Sequence, residues 1–75
     1  MILRFGDVIY DLRYAEKVWL DGFYLRMRFH NGREEAVDLR NYNCRPDILI
    51  NIVYRRKNGV DYAVHYPELS EVREK

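Results

Sequence analysis

Nucleophilic catalysis needs a Ser, Thr or Cys with a base in reach and an oxyanion site. The chain has no Thr, one Ser (Ser70) and one Cys (Cys44). Ser70 falls in a polar terminal run and Cys44 in an Asn-rich loop, neither in a Gly-x-Ser-x-Gly turn. Cys44 therefore reads as a small, half-buried thiol. A metal needs three or four converging ligands, yet the two histidines are His30, at an expected loop tip, and His65, in an expected strand. His65 beside Asp38 or Asp61 has the composition of an acid/base pair, but a surface imidazole hydrogen-bonded to a carboxylate is the commoner arrangement. The glycines, at 6, 22, 32 and 59, are scattered and form no phosphate-cradling loop. The expectation is a chain with no catalytic residues, cofactor or metal, and hence no enzyme.

The remaining chemistry-bearing residues are Arg and aromatics. Of 75 residues, 13 are Lys or Arg and 12 Asp or Glu, a formal net charge of +1. That balance excludes both a polybasic nucleic-acid arm and an acidic tail. An apolar fraction of 48% is that of a folded chain, and the length fits one small domain. One cysteine closes no internal disulfide and no apolar run resembles a leader or a membrane span, so the expected setting is the cytoplasm.

The elements that must position these residues follow from alternation. Phe23–Phe29 places apolar residues at every second position, a half-buried strand, and Asn31-Gly32 turns it back into Arg33–Leu39. A three-residue loop, His30-Asn31-Gly32, sorts the two faces. It sets Leu25 opposite Val37, Phe23 opposite Leu39, Arg28 opposite Glu34 and Tyr24 opposite Asp38, whereas a two-residue loop mixes core with solvent. The same grammar returns in Ile50–Arg56, Lys57-Asn58-Gly59 and Val60–Tyr66, which predicts a second hairpin with Ile52 opposite Val64. The two Asn-Gly pairs lie 58 − 31 = 27 residues apart. Duplication and convergence on common hairpin grammar both explain that offset.

Upstream, Val8 to Leu20 reads as one long, bent strand with an irregularity near Ala15, and Asp21-Gly22 as a turn pairing Leu20 with Phe23 and Val18 with Leu25. Pro46-Asp47 opens one helical turn between the hairpins. Pro67 ends the last strand, and Leu69 with Val72 gives a short terminal helix or a tail. The expected fold is α+β, mostly β: an antiparallel meander of about five strands over residues 1–75, frayed at 1–7 and 70–75.

In that register one face is mixed, and Trp19, Tyr24, Arg26, Arg28, Arg55 and His65 are its candidate partner-binding residues. Arg and aromatic anchors suit a protein interface. They also suit single-stranded nucleic acid stacked on Tyr24 beside an Arg ladder, but the interspersed Glu34, Asp38 and Asp61 disfavour phosphate. The predicted last strand, nearly uncharged and at a sheet edge, further implies a homodimer formed through the second hairpin.

The run Tyr24-Leu25-x-x-x-Phe29-x-Asn31-Gly32, followed by Glu34, Glu35 and Val37-Asp38-Leu39, resembles a family of small bacterial proteins known as domain-of-unknown-function 2442. The resemblance spans roughly residues 8–69 and includes Pro67-Glu68-Leu69, with Tyr66-Pro67 where that family often carries Trp-Pro. It implies a short antiparallel sheet with a small helix between hairpins and an accessory or regulatory role, and it brings no catalytic residues.

Overall fold

The computed structural model describes residues 1–72. The chain is α+β and mostly β, built from two three-stranded sheets and one long helix. Strands β1 (Ile2–Phe5), β2 (Val8–Asp11) and, from the far end of the sequence, β6 (Ala63–Tyr66) form the first sheet in the order β2-β1-β6. Strands β3 (Ala15–Asp21), β4 (Tyr24–Phe29) and β5 (Glu34–Asp38) form the second, a plain antiparallel meander. Helix α1 (Pro46–Arg56) and the short α2 (Leu69–Val72) complete the fold. Of the C-terminal residues expected to fray, 70–72 belong to α2 and 73–75 lie outside the described residues.

The β4–β5 hairpin has the register that the alternation predicts, with Leu25↔Val37, Tyr24↔Asp38 and Arg28↔Glu34. Gly32 sits at φ +88°, the left-handed conformation a three-residue loop requires. The β3–β4 turn is displaced from its expected place. The loop is Gly22-Phe23, not Asp21-Gly22, so Leu20 pairs with Leu25 and Val18 with Met27. Gly22 at φ +62° takes the first central position, where only glycine adopts positive φ cheaply, and Phe23 keeps a negative φ. The correction moves β3 by two residues and keeps its side chains on their predicted faces, but Phe23, expected on the core face opposite Leu39, stands exposed in the turn. The irregularity near Ala15 is present twice over: a 3-10 turn at Leu12–Tyr14 splits the long strand, and a bulge lies between Ala15 and Lys17.

Two expectations fail. Residues 1–7 do not fray: β1 is the central strand of its sheet, antiparallel to β2 and parallel to β6, and Met1, Leu3 and Phe5 are buried. The second hairpin does not exist either. Residues 46–56 are helical, so Ile52 does not pair with Val64, and Gly59 lacks the positive φ of a hairpin bulge. The homodimer argued through that hairpin loses its basis. Pro46 at the first helical position, Asp47 in the first turn and Arg55 and Arg56 in the last suit the helix start and dipole, while Leu49 and Val53, four apart, bury one stripe. Ala63–Tyr66 then crosses back and pairs parallel to β1.

The core lies between the inner faces of the two sheets and α1. Leu3 and Phe5 meet Leu25, Met27 and Val37, with Leu49 and Val53 from the helix and Leu12 and Leu39 from the two 3-10 turns. Tyr10, Tyr42 and Tyr66 pack around Phe5, with ring centroids 6.3, 5.2 and 5.4 Å away. Both turns have the sequence Asp-Leu-Arg, and each Asp accepts from the Arg backbone N–H two residues on, capping the turn whose Leu is buried.

Candidate interaction face

Because β3, β4 and β5 pair in register, their outward residues form three cross-strand rows: Asp21–Tyr24–Asp38, Trp19–Arg26–Ala36 and Lys17–Arg28–Glu34. These rows cover the outer side of the second sheet, opposite the core. Four of the six candidate residues, Trp19, Tyr24, Arg26 and Arg28, share this face. The other two do not join it. Arg55 is exposed on the last turn of α1 and His65 is exposed on β6, because the hairpin that was to carry both is a helix followed by a strand of the other sheet.

Pattern reading omitted Lys17 and Arg40 and assigned Phe23 to the core face; all three complete this surface. The Lys17 ammonium lies 4.9 Å from the Trp19 ring centre and the Arg28 guanidinium 6.0 Å from it. Arg26 and Arg40 flank Tyr24 at 5.8 and 6.0 Å, and Arg40 also covers Phe23 at 5.3 Å. Contacts of this kind are worth about 0.5–1 kcal/mol at exposed sites. Their main effect is to hold long side chains flat against the rings. Phe23 is 57% exposed, large for a phenylalanine with no fold requirement to sit there. Arg40 follows Asp38 by two positions, the spacing set by the 3-10 cap, and that local signal was present in the sequence.

Each arginine on the face has a carboxylate partner. Arg26 Nε donates to Asp21 at 2.8 Å, Arg28 bridges Glu34 at 3.2 Å and Glu16 at 3.4 Å, and Arg40 Nη2 reaches Asp38 at 2.8 Å. The Arg40 guanidinium holds the Asp38 carboxyl below the ordinary carboxylate range. The acids that interleave the arginines in sequence thus neutralise them in space. What remains at the surface beside these pairs is aromatic area and the Lys17 ammonium over Trp19.

Elsewhere the chemistry is sparse. Burial pushes the Cys44 thiol up to about 11, leaving it protonated at neutral pH and unfit as a nucleophile. Among the described residues no three His, Cys, Asp or Glu side chains converge to hold a metal, and no helix is long and apolar enough to cross a membrane. The chain matches no family model, no curated protein and no solved structure.

Proposed function

We propose that this chain is a non-enzymatic interaction module, acting in a bacterial-type cytoplasm, that binds a protein partner through the open face of β3–β4–β5. The observation that carries the reading is the combination of exposed Phe23 and Tyr24 and half-buried Trp19 with arginines already matched by Asp21, Glu34 and Asp38. A protein surface buries such rings and exchanges hydrogen bonds with guanidinium–carboxylate pairs without a large net charge change. Single-stranded nucleic acid presents phosphates that must displace those carboxylates first. The accessory role implied by the resemblance to the domain-of-unknown-function 2442 family agrees with this assignment.

The discriminating experiment is a fluorescence titration with mixed-sequence single-stranded DNA and RNA at two salt concentrations. No measurable binding is expected at physiological salt. Micromolar binding that weakens steeply with salt, and whose slope flattens in Arg26→Ala or Arg28→Ala, would replace protein with nucleic acid as the partner.

A further inference from the structure

From Arg4 to Arg45, every arginine has a carboxylate within 4.0 Å. Among the described residues, the lysines and arginines without such a partner are Lys17, Arg55, Arg56 and Lys57. The near-neutral formal charge of the chain therefore conceals a local excess. Lys17 from β3, with Arg55 and Lys57 from the end of α1, lines one groove of about 430 Å³. Arg56 turns instead to the Tyr62 ring, 4.9 Å away.

Little on the molecule offsets these charges. Glu16 also lines the groove, but Arg28 already takes its carboxylate at 3.4 Å, and Asp61, just beyond Gly59, pairs with none of the four cations. The Lys57 ammonium donates to the Ala15 carbonyl and the Lys17 ammonium lies over the Trp19 ring. Both contacts hold a cation in place without cancelling its charge. The helix dipole contributes roughly half a negative charge at this end, less than Arg55, Arg56 and Lys57 bring to it. Like charges gathered this way repel one another until an anion joins them.

The floor between the cations is apolar. Val53 is buried and Val18 half-buried, while Tyr54 at the margin is 92% exposed.

We propose that this groove takes an acidic segment of a partner protein. Its carboxylates meet Lys17, Arg55 and Lys57, and an aliphatic side chain between them covers Val18 and Val53. A single-stranded nucleic acid fits less well, because it needs a basic track that follows its backbone. Past Lys17 the sheet offers only arginines that Asp21, Glu34 and Asp38 already hold. The groove meets the aromatic face at Lys17, but the proposal does not rest on that face binding a partner.

The test titrates ¹⁵N-labelled protein with a blocked hexapeptide of alternating Glu and Leu, its Gln-for-Glu counterpart and a mixed-sequence DNA hexanucleotide. Shift changes are expected at 16–18 and 53–59 with the Glu peptide, which should bind about tenfold or more tightly than the Gln peptide. Lys17→Glu/Arg55→Glu should abolish that preference; Lys57 is left intact because its ammonium also ties α1 to β3. Arg55→Ala alone leaves Lys17 and Lys57 in place and should weaken Glu-peptide binding only about threefold. Equal binding of the two peptides, shifts centred on Tyr24 and Arg40, or no shift at millimolar Glu peptide would each overturn the proposal. Tighter binding of the hexanucleotide at 53–59 would overturn it too, by making nucleic acid the occupant.

Discussion

Leu3→Ala probes the least anticipated part of the fold. Leu3 is wholly buried on β1, the central strand, between Tyr10 on β2 and Val64 on β6. Truncation removes three heavy atoms and leaves a cavity lined by both sheets, a change that costs about 2–5 kcal/mol in packed cores. At roughly 0.05–0.15 kcal/mol per residue, a chain of this length has only about 4–11 kcal/mol of stability in all. The substitution therefore removes a large share of it. A loss near 3 kcal/mol shifts the melting midpoint down by roughly 12–24 °C for a domain of this size. Urea unfolding followed by Trp19 fluorescence should show the lowered midpoint with an unchanged slope. Ile9→Ala, at a 63% exposed position, is the control and should cost less than about 1 kcal/mol. If Leu3→Ala stays within about 0.5 kcal/mol of wild type, β1 is not a core strand and the first sheet is wrongly assembled.

Other consequences are smaller. Gly32→Val forces a β-branched residue into positive φ and should cost about 1 kcal/mol or more by denaturant unfolding. Asp11 and Asp38 have carboxyls held down by Arg13 and Arg40, so their contribution is present at neutral pH and is lost as pH falls below the ordinary value of 3.8 toward the folded one. The melting difference between wild type and Asp11→Asn or Asp38→Asn should be widest near neutrality and close in acid. Cys44, with its thiol pushed up to about 11, should react with a disulfide reagent at pH 8 far more slowly than a free thiol, and accelerate on unfolding.

What could be read from the sequence was what strict alternation encodes. Phe23–Phe29 and Arg33–Leu39 permit one register that separates core from solvent, and the structure has it. Ile50–Arg56 misled because Ile and Val favour strands while Leu49 and Val53 supply a helical stripe, and a short apolar run satisfies both periods. The helix ends, Pro46 and Asp47 against Arg55 and Arg56, were the better evidence. Strand β1 is four residues long and pairs with a segment some sixty positions away, which local pattern does not reveal. The 27-residue offset has a structural counterpart elsewhere: Asp11-Leu12-Arg13 and Asp38-Leu39-Arg40 lie 38 − 11 = 27 apart, and each closes a hairpin with a capped 3-10 turn. Site residues followed the elements. Trp19, Tyr24, Arg26 and Arg28 were placed by a correct hairpin and share a face; Arg55 and His65 were placed by an incorrect one and do not.

The most direct test of the interaction face is quantitative cross-linking and capture in the native host with three forms of the chain: wild type, Trp19→Ala/Tyr24→Ala and Arg55→Ala/His65→Ala. Both double variants alter exposed or half-exposed side chains and should fold, as amide spectra will verify. The account predicts a partner protein recovered with wild type and with Arg55→Ala/His65→Ala, and reduced at least tenfold with Trp19→Ala/Tyr24→Ala. A partner retained by the Trp19→Ala/Tyr24→Ala form, or lost only when Arg55 and His65 are changed, would contradict it.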